Sequence, residues 1–184
     1  MKILETDRLL LRTWTTEDLD PFAKMNRDPR VMEFFPSTQT YKQTAETMKR
    51  FRQHFDDHGY SLYPVIIKAT NEFIGFTGLL TVDFKAHFTP AVEIGWRLFQ
   101  PHWGKGYAPE AARSVLALAF NQLKLSEIVS FATKDNARSR RVMEKIDMSY
   151  NIADDFEHPK LPEGSPLRHH VLYRKQKTHW NNND

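Results

Sequence analysis

No cysteine occurs among the 184 residues. That absence excludes disulfides, thiolate metal ligands and a cysteine nucleophile together. Any acyl transfer by this chain cannot pass through a cysteinyl thioester. Nor is there an apolar run approaching the roughly 20 residues that cross a bilayer. The opening Met1-Lys2-Ile3-Leu4-Glu5-Thr6-Asp7 lacks the apolar segment of a secretion signal, so a cytosolic protein without membrane contact is expected. Charge of one sign is also scarce, with a net balance of only +3. Arg138, Arg140 and Arg141 form the one tight basic cluster, too little for a nucleic-acid footprint.

What is present reads as one globular domain, 1–177, followed by a frayed tail from Thr178 to Asp184. Leu9–Trp14 reads as a strand. Thr15 or Thr16 caps a helix with Glu17 and Asp18 in its first turn, and Asp28-Pro29 ends it. A second helix spans Tyr41 to His58, with Thr40 and Gln43 at capping-box spacing and Gly59 at its C-terminal cap. Leu62–Lys68 and Phe73–Leu80 form a hairpin, in which Pro64 asks for an irregular or edge position. A mobile link, Asp83 to Pro90, leads to a strand over Ala91–Phe99. A long helix over Glu110–Leu123 follows, then a strand at Glu127–Thr133 and a short helix from Asn136 to Ile146. Strands near Met148–Ile152 and His169–Arg174 complete an α+β (mixed α/β) pattern.

The most informative stretch is Trp103-Gly104-Lys105-Gly106-Tyr107-Ala108-Pro109-Glu110, between a strand and a helix. Glycines in such a turn let the backbone approach a ligand, and a helix N-terminus offers unpaired N–H groups to an anion such as pyrophosphate. The spacing lacks the Lys-Ser or Lys-Thr of a P-loop, and Pro109 occupies the place of a dinucleotide fingerprint's third glycine. A third pattern fits better: Gln or Arg, two residues, Gly, one residue, then Gly or Ala. It is met at Gly106 and Ala108, with Trp103 replacing the first residue. A second signature lies downstream, where Asn136-Ala137-Arg138-Ser139 opens the short helix.

In that order and separation the two motifs resemble the coenzyme A site of GNAT N-acetyltransferases. Leu4–Arg12, Glu93-Ile94-Gly95-Trp96 and His170–Arg174 are similar to its RimJ/RimL-type branch, which includes ribosomal-protein N-terminal acetyltransferases. The resemblance implies a mostly antiparallel, mixed sheet of six to seven strands, splayed between strands 4 and 5 and flanked by about four helices. It also implies acetyl-CoA as cosubstrate and a primary amine as acceptor, with no metal, in a monomer or homodimer. Backbone groups around Leu98 and Phe99 would pair with the pantetheine arm. Trp103, Gly104, Lys105, Gly106, Tyr107 and Ala108 would hold the pyrophosphate, and Asn136 the pantetheine near the thioester.

Transfer to an amine needs a base, because an alkylamine is protonated at neutral pH. Glu93 is the candidate, working through water; the alternative is an ion pair with Arg97 two residues along the same strand face. Ser139 is the candidate acid, because Met143 stands where many relatives carry a tyrosine; the alternative is a helix residue capped by Asn136. Asp147 likewise replaces a glycine of the family pattern. The departures at Met143 and Trp103 keep open a second function, a non-catalytic acyl-CoA sensor. Elsewhere, His54 and His58 have one-turn spacing but no third ligand, and Phe34-Phe35 either lines an acceptor pocket or packs under its loop.

Overall fold

A computed structural model describes residues 1–180. They divide into two compact units: Met1–Leu80 with Gly95–Val115, and Thr81–Ile94 with Leu116 onward.

The first unit carries β1 (Lys2–Glu5), β2 (Leu9–Arg12), α1 (Leu19–Arg27), α2 (Tyr41–His58), β3 (Leu62–Ile67) and β4 (Glu72–Thr81) up to Leu80. It also holds the second half of β5 (Val92–Leu98) and most of α3 (Tyr107–Ala117). Its strands run in the order β1-β2-β3-β4-β5, with the first three pairs antiparallel. Helix α2 has the predicted ends. Thr40 N–H donates to Gln43 Oε1 (2.8 Å), Gln43 N–H donates back to Thr40 Oγ1 (3.3 Å), and Gly59 closes the helix at φ 76°. Pro64 meets the irregularity expected of it: the β2 ladder begins at Val65, and the β4 pairing slips between Val65 and Ile66. The core gathers Trp14, Phe22, Met25, Met48, Phe73 and Phe76. Trp14 satisfies its buried indole by donating to the Leu62 carbonyl at 2.7 Å. Each such side chain contributes about 1.5–3 kcal/mol on leaving water.

The second unit carries the first half of β5, β6 (Glu127–Thr133), α4 (Ala137–Lys145), β7 (Ser149–Tyr150), β8 (Phe156–Glu157) and β9 (His169–Gln176). The order is β5-β6-β9-β7, with β8 also on β9. β5 and β6 are parallel, with Glu93 opposite Val129, whereas β6 and β9 are antiparallel from Glu127↔Gln176 to Thr133↔His170. The fold is thus mixed α+β, with four α-helices among the described residues. To the seven predicted strands it adds β1 and the two-residue β8.

Two expectations need correction. The Asp83–Pro90 link is not loose: Phe84 and Phe88 pack with Phe131 and Phe156, at ring separations of 4.9–6.1 Å, and Asp83 pairs with Lys160 at 2.5 Å. Its polar residues point outward while alternate aromatics turn in, a pattern hidden by the loop-like composition. The tail expected to fray from Thr178 is ordered as far as it is described. Lys177–His179 form a 3-10 turn, and Trp180 packs on Phe120 at 5.5 Å; residues 181–184 lie outside the described residues. No helix among the described residues is long and apolar enough to cross a membrane.

Candidate active site

In the first unit, the turn after β5 takes the shape that its glycines allow. Gly104 (φ 74°) and Gly106 (φ 82°) are both left-handed, and α3 starts at Tyr107 directly behind them. A side chain at Gly104 would meet nothing within 4 Å, whereas a Cβ at Gly106 would come 3.3 Å from Arg8 Nη2. The turn's carbonyls are engaged: Lys105 O accepts from Arg8 Nη1 (3.1 Å) and Gly106 O from Glu110 N–H (3.2 Å). The first N–H groups of α3 have no intrahelical partner, so the positive end of the helix meets the glycine turn.

Arg8, in the loop between β1 and β2, holds this turn. Its Nε donates to Glu110 Oε2 (2.6 Å), its backbone N–H to Glu110 Oε1 (3.1 Å), and Thr6 Oγ1 donates to Oε1 at 2.5 Å. The guanidinium also lies 4.5 Å from the centre of the Tyr107 ring. Burial works to raise the Glu110 pKa, but the Thr6 and Arg8 hydrogen bonds overcome it and hold the carboxylate below its ordinary range. The sequence reading missed this clamp. Its two halves are 102 residues apart, and no local pattern joins them.

The remaining first-unit residues assigned to the cofactor are partly committed to packing. Leu98 O accepts the Trp103 indole N–H (2.8 Å), and Phe99 N–H donates to Ile74 O (2.9 Å). Trp103 and Phe99 both lie against the first core. Lys105 is exposed, and Tyr107 rests on Arg8 and His102.

In the second unit, Glu93 keeps part of its surface open, yet its carboxyl sits in weakly polar surroundings. Burial first, and the nearby Asp83 charge second, push it up to about 8, with Lys160 opposing. Among the described residues the Glu93 carboxyl forms no hydrogen bond or ion pair. Arg97, its alternative partner in the sequence reading, donates instead to Asn26. Val129, opposite Glu93, belongs to the apolar cluster of Phe88, Phe156 and Leu172. Two imidazoles flank that cluster: His158 and His170 stand 4.9 Å apart and are both shifted down, chiefly by burial, His158 to about 4.

Asn136 caps α4, its Oδ1 accepting from Ser139 N–H at 3.1 Å. The amide Nδ2 remains available as a donor. Ser139 is half-buried in the helix's first turn, while Met143 is buried in the core and contributes no polar group. Thr133, at the end of β6, carries a buried hydroxyl that has no partner among the described residues. Asp147 adopts φ 57°, so the chain keeps the left-handed turn for which the family pattern uses glycine.

Elsewhere, His54 Nδ1 meets the Tyr60 carbonyl at 2.8 Å and its ring packs against His58. No cluster of three or more His, Asp or Glu among the described residues could hold a metal ion.

The family model for the acetyltransferase (GNAT) domain matches residues 8–149, which include the glycine turn and the Asn136–Ser139 helix start. The chain is 33% identical over 149 residues to the uncharacterized protein YkkB of Bacillus subtilis, covering 80% of this chain and 86% of that one. It is 29% identical to the uncharacterized N-acetyltransferase YnaD of the same organism, over 97% of this chain and 99% of that one. The solved structure of a GNAT-family acetyltransferase from Bacillus anthracis superposes with a TM-score of 0.79 at 27% identity, covering 97% of this chain and 99% of that one. The chain therefore belongs to the GNAT acetyltransferase family and is an acyltransferase.

Proposed function

We propose that the protein moves an acetyl group from acetyl-CoA to a primary amine by direct transfer in a ternary complex. The observation that carries this reading is the glycine turn. Two left-handed glycines precede the N-terminus of α3, with the Lys105 and Gly106 carbonyls engaged, an arrangement suited to a pyrophosphate. In this reading the N–H groups from Gly104 to Ala108 hold the pyrophosphate, with Lys105 adding charge. The Asn136 amide donates to the pantetheine arm, and backbone near Leu98 and Phe99 supports that arm with the groups left free.

The transfer forms a C–N bond and breaks a C–S bond. Glu93, directly or through one water, takes the proton that the attacking ammonium must lose. Its desolvated carboxyl has a proton affinity suited to that task near neutral pH. The departing thiolate takes a proton from the Ser139 hydroxyl or from solvent. The acceptor is a protein N-terminus or a small amine. The stretches Leu4–Arg12 and His170–Arg174 support placing the chain in the RimJ/RimL-type branch, and we place it in the cytosol as a monomer or homodimer.

Acetyl-CoA should raise the melting temperature, and Gly106→Val should abolish the rise by forcing a branched side chain into a left-handed turn against Arg8. An undiminished shift in that variant would put the cofactor elsewhere. Turnover is read as free coenzyme A thiol across amines, amino acids and N-terminal peptides. The cysteine-free protein adds no thiol background of its own.

A further inference from the structure

Among the described residues Arg97 is a cation without a counter-ion. Alternation along β5 puts it on the face that also carries Gly95. Its Nη1 donates to Asn26 Oδ1 at 2.8 Å. Asn26 is wholly buried and cannot turn away, because its own Nδ2 donates to Gln39 Oε1 (3.0 Å) and Thr44 Oγ1 (3.2 Å). The guanidinium also lies over two rings, with its carbon 4.0 Å from the centre of the Phe35 ring and 5.2 Å from that of Phe76. Phe35 is 38% exposed, so this recess has one outer wall. Inside it, Nε is shut from water and has no partner among the described residues.

Arg97 is half-buried with its Nε withdrawn from water; an arginine so placed for stability is normally paired with a carboxylate, since leaving a desolvated charge and a donor unmatched is costly. Here desolvation lowers the Arg97 pKa to about 10, and no acid contributes to the shift. The surroundings orient the fork and dry it but do not neutralise it. Planar, forked and recessed over two rings, it matches a carboxylate in shape and charge.

We propose that Arg97 is a specificity residue that receives the carboxylate of a small, amino-acid-like acceptor amine. This rests on the acetyl-transfer reading above. Asn26 is its positioning residue, and Phe35 forms the wall that keeps water out.

The test compares L-amino acids and ω-amino acids with their own amides, by coenzyme A release and by calorimetric binding to the coenzyme A complex. Wild-type enzyme should favour at least one free acid over its amide by roughly 30-fold in kcat/KM or Kd, the loss expected when a desolvated ion pair forfeits one partner. Arg97→Met should erase that preference while leaving acetyl-CoA binding intact and the melting temperature unchanged or higher. Arg97→Lys should restore it only in part.

Equal use of acids and amides by wild-type enzyme overturns the proposal and leaves acetyl transfer standing. So does a preference that survives in Arg97→Met, or a melting temperature that collapses in both variants. Arg97-dependent binding of a free acid without turnover would keep the anion site and remove the transfer reading. An Arg97-dependent preference confined to peptides beginning with Asp or Glu over Asn or Gln would replace the small acceptor with a protein N-terminus and overturn this assignment.

Discussion

Glu93 makes two demands on pH that run in opposite directions. As a base it must lose its proton, so activity should climb through about 8. As a folded group it favours the neutral form, its pKa raised from an ordinary 4.5. The stability it contributes is therefore fully present below about 4.5 and drains away as pH rises through about 8. Glu93→Gln should lower kcat by about 100- to 10,000-fold with acetyl-CoA affinity retained, and should flatten the decline in melting temperature on the alkaline side. A variant that keeps wild-type kcat would leave Glu93 as a half-buried carboxyl without a catalytic part. Asp147 supplies a second residue-scale prediction. A non-glycine residue at φ 57° carries strain that glycine does not, so Asp147→Gly should gain about 0.5–1 kcal/mol in chemical denaturation. Position 93 could be singled out from strand alternation alone. Its raised proton affinity could not, because the burial behind it comes with the pairing of β5 to β6, where Val129 lies opposite, remote in sequence.

At the scale of elements, the first turn of α3 depends on a pair of residues outside the motif that names it. Glu110→Gln removes the ionic half of the Arg8 clamp. Because Arg8 is about half exposed, the stability loss should be small, a few tenths to about 1 kcal/mol. The larger effect should be on the acetyl-CoA-induced rise in melting temperature, which should shrink as the glycine turn loosens. An unchanged rise would make the clamp purely structural. Helix α2 is the counter-example in legibility: capping box, length and terminal glycine were all local, and all were readable. The link at Asp83–Pro90 was misread for the opposite reason. Its two phenylalanines acquire meaning only against Phe131 and Phe156, which arrive later in the chain.

For the whole molecule, acid stability should follow the paired carboxylates. Asp154 is held low by its hydrogen bonds to Arg174, and Glu110 by Thr6 and Arg8 against the pull of burial. Their contribution is present above the ordinary carboxylate range and lost as pH falls through the depressed values. Set against Glu93, which acts in the other direction, this predicts a melting-temperature maximum on the acid side of neutrality, moving upward in pH in Glu93→Gln. A maximum that stays put would mean that Glu93 titrates normally. The fold class and the glycine turn were legible because both rest on short-range patterns. The Arg8–Glu110 and Arg97–Asn26 pairings were not, since each joins residues about 70 to 100 positions apart.

That separation bears on how the protein is made. Arg8 leaves the ribosome early, and Glu110 follows 102 residues later. Until then the Arg8 guanidinium lacks its carboxylate partner, although Lys68 already donates to the loop's Thr6 and Arg8 carbonyls. Closing so long a loop is a slow, late event. The proposed phosphate cradle should therefore be among the last parts of a nascent chain to set, and a chain halted before α3 would hold its glycines without the helix N-terminus behind them.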